Sequence, residues 1–223
     1  MPILAYIIVA LAAYLLGSIP TGYLVARAKG VDIRTVGSGN IGATNAFRVL
    51  GKPAGVFVLL ADALKGFAAV AVIVHFYQEL HDLLPGVFTV EAITRPELLW
   101  NLGVVAGLCA VLGHNYTCWL KFKGGKGIAT SAGVYFALAP LAVSIALALW
   151  IVLFVVTRYV SIASLAAAIG LPTAVWLTKE SVLLGIVTTG LGVLAIYKHK
   201  GNIQRLLAGT ESRVHFKKEK PAA

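Results

Sequence analysis

The chain has 223 residues and a formal net charge of +10, with 59% hydrophobic and 13% charged residues. Because soluble domains average about a quarter charged residues, this composition excludes an ordinary soluble domain and predicts an integral membrane protein. The basic residues lie in short loops and a tail, with no aromatic-rich binding module, so nucleic acid is not an expected partner. Cys109 and Cys118 would lie about 13 Å apart along a helix, beyond disulfide reach, and they predict no metal site.

Six apolar runs follow one another along the chain. They cover residues 3–26, 53–77, 98–117, 128–157, 160–178 and 181–197. Basic residues concentrate between the first two runs, after the third run and after the last, whereas residues 78–98 hold one arginine and four acids. The positive-inside rule therefore predicts that the three basic segments are cytoplasmic and that the amino terminus lies outside.

The fourth run is too long for one crossing. As a helix it would measure about 45 Å against a hydrocarbon core of about 30 Å, and Pro140 lies near its middle. An outside start and a cytoplasmic end require an odd number of crossings, so we expect a break at Pro140 and an all-α fold of seven transmembrane helices, some of them short. A re-entrant hairpin over residues 128–157 is the alternative. We expect one membrane-embedded domain over residues 1–212 and a basic cytoplasmic tail over 213–223.

The first basic segment contains a glycine-rich loop, GSGNIGATN, over residues 37–45, which Arg48 follows. Glycine permits positive φ and close backbone approach, and successive N–H groups in such turns bind anions. The loop matches the pattern GxGxxG, but no strand precedes it, which excludes a dinucleotide site. We expect phosphate recognition by backbone amides, by Ser38, Thr44 and Asn45, and by Arg48. An interfacial turn that only breaks a helix is the alternative.

The second basic segment follows the third apolar run. It comprises His114, Asn115, Lys121, Lys123, Gly124, Gly125, Lys126 and Gly127. Its lysines could simply mark the cytoplasmic side, as basic loop residues commonly do. The interleaved glycines favour an anion site instead. A Walker A motif is excluded, because Gly127 stands where that motif has Ser or Thr.

The third basic segment, residues 198–202, places His199 between two lysines just after the last run. Flanking cations disfavour the imidazolium, so we expect a neutral ring that accepts a proton or orients an amide. A structural role, the usual one for a lone interfacial histidine, is the alternative. Asp62 and Lys65 lie on one helical face inside the second run. Because a charge at membrane depth is costly unless paired, we expect an ion pair that supports the site, with direct ligand contact as the alternative.

These segments together resemble a known family, the bacterial membrane glycerol-3-phosphate acyltransferases of the PlsY type, which use acyl phosphate as donor. The resemblance lies in GSIP at residues 17–20 with GSGNIGATNAFR at 37–48, GHNYTCWLKFKGGKGIATS at 113–131, and YKHKGNIQRLLAGTE at 197–211. DALKG at residues 62–66 is also similar to the family. The resemblance implies transfer of a fatty acyl group from acyl phosphate to the sn-1 hydroxyl of glycerol 3-phosphate, without a cofactor. It implies a site at the cytoplasmic face of the bacterial cytoplasmic membrane.

The resemblance also implies roles for individual residues. Ser38 and Arg48 are expected to bind phosphate in the reacting complex, with His199 and Asn202 near the reacting hydroxyl, and these four are the expected catalytic residues. Glu211 is expected to support its loop. The other expected substrate-binding residues are Gly37, Gly39, Asn40, Gly42, Thr44, Asn45, His114, Asn115, Lys121, Lys123, Gly124, Gly125, Lys126, Gly127, Ser161, Lys200 and Arg205, together with Glu211.

We expect no acyl-enzyme, because acyl phosphate is already activated and the protein chiefly needs to align the reactants and stabilise charge. The donor phosphate or His199 would accept the hydroxyl proton, and Ser38 as a covalent nucleophile is the alternative. A transporter of a phosphorylated anion is the alternative function, but it predicts polar groups at mid-membrane on several spans. A structural subunit would leave the three basic segments without a purpose. Preferred acyl length and oligomeric state are not fixed by the sequence.

Overall fold

The structure, a computed structural model, describes residues 2–75, 77–85 and 96–214. Within these ranges the regular structure is entirely helical, which confirms the all-α prediction. The helices are α1 Pro2–Ser18, α2 Thr21–Ala28, α3 Ala43–Leu50, α4 Lys52–His75, α5 Tyr77–Leu83, α6 Pro96–Asn115, α7 Ile128–Leu138, α8 Pro140–Thr157, α9 Val160–Leu177, α10 Val182–Lys198 and α11 Lys200–Leu207. A short 3₁₀ helix, Cys118–Leu120, follows α6. The predicted tail, residues 213–223, lies outside the described residues from 215 onward.

Several helices are long and apolar enough to cross a membrane. Among the described residues five segments qualify: Ile3–Ala28, Lys52–Val72, Pro96–Leu120, Pro140–Thr157 and Val160–Leu177. A sixth is α10 taken together with α11, which bends by 53° at the break between them. Helix α7 is apolar, but its 11 residues span only about 16 Å, roughly half the hydrocarbon core. Seven crossings and the orientation of the termini therefore stay predictions.

The expected break inside the fourth apolar run is present. Helix α7 ends at Leu138, and Pro140 is the first residue of α8. Proline has no N–H to continue a preceding helix, and its fixed φ suits the first helical position. Ala139 between the two helices has φ −144° and ψ 70°, outside the helical region. The proline thus ends α7 near the middle of the run, and the short α7 contributes a wall to the site described below.

Two helix pairs approach each other closely at glycines. In the α1–α6 pair, a Cβ on Gly17 would lie 2.1 Å from the carbonyl oxygen of Ala110, and one on Gly113 would lie 2.2 Å from that of Tyr14. The α4–α7 pair repeats this arrangement at Gly133, where a Cβ would lie 1.8 Å from the carbonyl oxygen of the facing helix. Such close backbone contact is a common way for membrane helices to associate. These contacts fix the positions of α6 and α7, and the second basic segment connects the end of α6 to the start of α7.

A small apolar cluster anchors the glycine-rich loop. Ala26, Ile33, Ile41, Ala46 and Val58 are all buried there, and they join α2, the loop, α3 and α4. A larger buried cluster fills the space between α6, α7, α8, α9 and α10. The site described below lies against both clusters, so its walls are supported by packed side chains.

Candidate active site

A cavity of about 290 Å³ lies where the three basic segments meet. Each segment contributes to its wall, through Arg48, Lys126 and His199. Further polar residues of the wall are Ser38, Asn40, Thr44, Asn45, Asp62, His114, Ser131, Tyr135, Ser161, Ser164, Thr188, Asn202 and Glu211. The rest of the wall is largely apolar and includes Val143, Leu147, Trp150, Ala168, Leu171 and Leu191. The cavity therefore joins a cationic end to an apolar interior.

Not every residue expected at the site reaches this wall. The wall also contains Gly42 and Gly127, two of the expected glycines. The expected residues that do not line the cavity are Gly37, Gly39, Asn115, Lys121, Lys123, Gly124, Gly125, Lys200 and Arg205. Several of these have other structural functions, which the following contacts define.

Asn45 organises the glycine-rich loop. Its Oδ1 accepts a hydrogen bond from the backbone N–H of Ser38 at 2.9 Å, and its Nδ2 lies within 3.1 Å of the carbonyl oxygens of Ile33, Val36 and Asn40. The side chain is 1% exposed. Gly37 has φ +60°, and a Cβ there would lie 2.3 Å from Oδ1 of Asn45, so the turn around this amide requires glycine. Asn45 thus shapes the loop instead of offering free polar atoms to a ligand.

Helix α3 carries the cationic residue of the first segment. Its first turn begins after Gly42, whose N–H is held by Oδ1 of Asn40 at 2.8 Å. Thr44 and Arg48 are four residues apart and so lie on one face of α3, and both line the cavity. Arg48 is exposed, which leaves its guanidinium accessible to a phosphorylated ligand in the cavity.

The second segment folds back along the end of α6. The N–H groups of Gly124 and Gly125 donate to the carbonyl oxygens of Asn115 and His114, at 3.2 and 3.0 Å. A Cβ on Gly124 would lie 2.1 Å from the carbonyl oxygen of His114, and one on Gly125 would lie 2.1 Å from its Nε2. These glycines are therefore needed for close packing. Because these glycines pack against the end of α6, the next residue, Lys126, lies in the wall of the cavity.

The three lysines of this segment do not act as one group. Lys126 lines the cavity, whereas Lys121 and Lys123 are exposed and lie outside its wall. The chain turns sharply after the 3₁₀ helix, where Lys121 and Phe122 have left-handed φ values of 54° and 61°. The arrangement does not support the expected contact of Lys121 and Lys123 with substrate phosphate in this cavity.

Burial and neighbouring charges act together on Lys126. Burial lowers its pKa to about 8; Glu211 opposes this shift, and the positive charges of Arg205 and Arg48 add to it. Its Nζ donates a short hydrogen bond to Oδ1 of Asn202. Near pH 7 the ammonium is still mostly protonated, so Lys126 presents a cation with little surrounding water.

The third segment forms a chain of hydrogen bonds around Glu211. One carboxylate oxygen accepts from Nδ2 of Asn202 at 2.7 Å, and the other accepts from Nε of Arg205 at 2.7 Å. Burial alone would raise the pKa of Glu211, but these hydrogen bonds lower it below its usual value. Arg205 thus contacts the site through Glu211 and does not itself line the cavity. The supporting role that the resemblance implies for Glu211 stays a prediction, with which these two bonds agree. Lys200 instead lies over the ring of Tyr197, 4.9 Å from its centroid.

His199 lies at the break between α10 and α11 and is 3% exposed. Burial lowers its pKa to about 4, and the positive charge of Lys126 adds to this effect. The expected neutral ring is thus supported, but the reasons given for it, Lys198 and Lys200, are not the main causes. Its Nδ1 lies 2.7 Å from the carbonyl oxygen of Ala195, which can only accept. Nδ1 therefore carries the proton, and Nε2 is left as an acceptor.

The predicted ion pair inside the second apolar run is present. Nζ of Lys65 lies 2.8 Å from Oδ1 of Asp62 and donates to the carbonyl oxygen of Ile19, also at 2.8 Å. Nδ1 of His114 lies 3.6 Å from the same carboxylate oxygen. Asp62 and His114 both line the cavity. The pair therefore joins the chain after α1 to the cavity wall, which agrees with structural support of the site.

The next residue, Asn115, joins two of the basic segments through its backbone. Its carbonyl oxygen accepts from the Gly124 N–H and also from Nζ of Lys198, at 2.8 Å.

Ser161 lies at the start of α9 and is buried in the cavity wall, as the resemblance implies. Tyr135, Trp150 and Thr188 also line the cavity and are not predicted from the sequence. They lie within apolar runs, where aromatic and hydroxyl side chains give no local signal of a cavity.

Fold and cavity together define a helical membrane protein whose cationic site is continuous with an apolar cavity. The sequence model of a family described as glycerol-3-phosphate acyltransferase matches residues 7–209. Among relatives with that name, the protein of Geobacter sulfurreducens is 45% identical over 93% of this chain and 96% of its own length. That of Desulforudis audaxviator is 44% identical over 98% of this chain and 100% of its own length.

Two solved structures are also similar, both of PlsY, an integral membrane glycerol 3-phosphate acyltransferase. The glycerol 3-phosphate form gives a TM-score of 0.81 and the lysophosphatidic acid form 0.78, each at 38% identity. Both comparisons cover 94% of this chain, and they cover 96% and 95% of those chains. The chain belongs to the glycerol-3-phosphate acyltransferase family.

Proposed function

We propose that this protein transfers a fatty acyl group from acyl phosphate to the sn-1 hydroxyl of glycerol 3-phosphate. The products are 1-acyl-glycerol 3-phosphate and inorganic phosphate, in the first acylation step of phospholipid synthesis. Family membership supports the acceptor, and the forms in which the PlsY structures were solved, with glycerol 3-phosphate and with lysophosphatidic acid, support acceptor and product. The choice of an acyl phosphate as donor follows what the sequence resemblance implies, and the form of the cavity is consistent with it.

The observation that carries the proposal is that one cavity contains both a cationic end and an apolar interior. Arg48 and Lys126 supply positive charge at one end, and Leu147, Leu171 and Leu191 line the interior. An acyl phosphate combines a charged head with a fatty chain, so a single molecule matches both parts. A small phosphorylated anion, the cargo of the alternative transporter, would leave the apolar interior without a function.

The proposed reaction requires alignment and charge stabilisation. The sn-1 oxygen bonds to the acyl carbonyl carbon, the bond from that carbon to the phosphate oxygen breaks, and phosphate leaves. Lys126 and Arg48 stabilise the negative charge that the departing phosphate acquires. The hydroxyl proton passes to the donor phosphate or to Nε2 of His199, which is a free acceptor in the tautomer described above. Asn202, held between Lys126 and Glu211, lies beside this path.

A covalent acyl-Ser38 intermediate is the alternative route. Ser38 lines the cavity in the glycine-rich loop, and its backbone N–H is fixed by Asn45. Radiolabelled donor and a single turnover distinguish the two routes. Product without labelled protein supports direct transfer; an acyl-enzyme that forms and decays as fast as product appears would overturn it.

We also propose that the cavity opens to the cytoplasm, because the three segments that build it are the basic ones. The same reasoning gives seven crossings, with α7 as a short one and α8 as a separate crossing, in the cytoplasmic membrane of a bacterium. Reporter fusions at exposed loop positions test this topology. A cytoplasmic signal from fusions after residues 179 and 214 alike would contradict it.

The direct test uses purified protein with palmitoyl phosphate and glycerol 3-phosphate, and measures phosphate release and lysophosphatidic acid. Palmitoyl-CoA replaces the donor in a parallel reaction. Arg48→Ala is compared with Arg27→Ala, a matched change of an exposed arginine outside the cavity wall. Turnover with acyl phosphate alone, lost in Arg48→Ala and kept in Arg27→Ala, is expected. Absence of turnover in folded protein would overturn the proposal and favour anion transport.

A further inference from the structure

We propose that the hydrogen-bonded pair Tyr135 and Thr188 closes the inner end of the apolar cavity and limits the length of the acyl chain that the protein accepts. This inference rests on the proposed function, since it assigns the apolar interior to the donor chain. It adds two specificity-determining residues that lie outside the three basic segments.

The pair is a closed polar unit in apolar surroundings. Tyr135 OH donates to Oγ1 of Thr188 at 2.6 Å, and Oγ1 of Thr188 donates to the carbonyl oxygen of Leu184, also at 2.6 Å. Both side chains line the cavity, and each is only 1% exposed. Their hydroxyl groups are satisfied by each other and by the backbone, so the pair has no need of a polar ligand. Its position on the wall makes it a barrier rather than a binding group.

The pair lies at the end of the cavity that is farthest from the three basic segments. Thr188 lies in α10 and precedes His199, the residue that follows this helix, by eleven residues, which corresponds to about 16 Å. Between them, Leu191, Gly192 and Ala195 line the cavity at helical spacing. One face of α10 therefore forms a continuous wall from the cationic end to the pair.

Behind the pair the structure is packed. Leu184, Val175 and Leu138 are buried and belong to the same cluster as Tyr135. A chain longer than the cavity would have to break the hydrogen bond of the pair, displace this cluster or leave sideways into the bilayer. The first two routes leave buried hydroxyl groups unsatisfied or disturb a close-packed core, and both are unfavourable. Chains that end before the pair avoid either penalty.

The test is a competition between acyl phosphates of increasing length, lauroyl, myristoyl, palmitoyl and stearoyl, with glycerol 3-phosphate as acceptor. Thr188→Leu fills the inner end, and Thr188→Ala enlarges it. Tyr135→Phe keeps the ring and removes the hydroxyl. The matched control is Thr189→Leu, because Thr189 is exposed, bonds a carbonyl oxygen one turn earlier in the same way, and does not line the cavity.

We expect Thr188→Leu to lower the ratio of stearoyl to lauroyl kcat/KM by about tenfold, the order of discrimination that a methylene-sized misfit produces. Thr188→Ala and Tyr135→Phe should shift the ratio in the opposite direction, and Thr189→Leu should leave it unchanged. Because the readout is a ratio within each variant, a general loss of folded protein does not affect it.

An unchanged ratio in Thr188→Ala and Tyr135→Phe would overturn the inference and show that long chains leave the cavity sideways. The same holds for Thr188→Leu if it retains activity. Failure of the proposed function is a different result, since the unmodified protein would then turn over no acyl phosphate of any length.

Discussion

Glu211 holds Asn202 in one orientation. The carboxylate accepts from Nδ2 of Asn202 at 2.7 Å, so the amide oxygen is the atom that faces Lys126. Because the other carboxylate oxygen is bonded to Arg205, rotation of Glu211 would break two contacts at once. The orientation of a cavity residue thus depends on a carboxylate from a separate loop.

Replacing Glu211 by glutamine should therefore impair catalysis. The new amide has one acceptor atom instead of two, so it cannot hold both Asn202 and Arg205. Loss of a charge-assisted hydrogen bond corresponds to about 1.5–3 kcal/mol, or roughly 10- to 100-fold in kcat/KM. Steady-state kinetics measure this, with Glu180→Gln, between α9 and α10, as control. Wild-type kinetics in Glu211→Gln would contradict the orienting role.

The alkaline limb of the pH profile should follow Lys126. Its pKa in the folded protein is about 8, below the usual lysine value, so the cation is lost as the pH rises through about 8. Since kcat/KM reports the free protein, it should fall over the same range. In Lys126→Arg the charge persists, and the fall should move to higher pH even if the maximal rate is reduced. An unchanged limb in that variant would assign it to another group.

Protonation of His199 should destabilise the folded protein. Its folded pKa of about 4 lies below the usual histidine value of about 6.5, so between these values only the unfolded chain binds the proton. Stability should therefore fall as the pH drops from about 6.5 to 4, and this part of the fall should disappear in His199→Asn. Thermal unfolding in detergent over this range measures the difference. Parallel curves for both proteins would argue against a buried neutral imidazole.

The same substitution separates two roles of His199 in catalysis. Asparagine can retain a donor near the position of Nδ1, towards Ala195, but it has no acceptor at the position of Nε2. If Nε2 receives the hydroxyl proton, kcat should fall by about 100-fold or more. If the donor phosphate receives it, His199→Asn should keep most of kcat while glutamine, which lacks the Nδ1 donor, loses it. Single-turnover measurements with both variants decide between these outcomes.

Alanine substitutions of the three lysines in the second basic segment should have very different effects on activity. Lys126→Ala is expected to abolish measurable turnover, whereas Lys121→Ala and Lys123→Ala should change the KM for glycerol 3-phosphate by less than about threefold, since exposed charges outside the cavity are screened. Kinetics of the three single variants measure this. A large KM increase in Lys121→Ala or Lys123→Ala would return these residues to the phosphate site.

The ion pair of Asp62 and Lys65 should be needed for folding more than for chemistry. Both side chains are nearly fully buried, at 3% and 6% exposure. Removing one partner leaves the other charge buried and unpaired, at a cost of about 3–5 kcal/mol. Asp62→Asn and Lys65→Met should each lower the thermal midpoint, and the double variant should lower it by less than the sum. Additive losses would mean that the two residues act independently.

Much of this arrangement could be predicted because the decisive signals are local. Pro140 ends a helix through its own missing N–H, and the buried charge of Asp62 demands a partner within one turn. The separation of Lys126 from Lys121 and Lys123 could not be predicted, since it depends on where Gly124 and Gly125 contact the end of α6. The cause of the neutral His199 ring also required the structure, because burial and Lys126 act through space. Tyr135 and Thr188 meet across 53 residues, and nothing in either apolar run indicates the other.

The cavity takes its wall from residues as far apart as Ser38 and Glu211. During synthesis, the first of these enters the membrane environment long before the last leaves the ribosome. A chain interrupted before α11 would hold most of its apolar helices but would lack Asn202, Glu211 and the bonds that orient Lys126. Activity should therefore appear only when the final segment has been made, so partly synthesised chains cannot consume acyl donor.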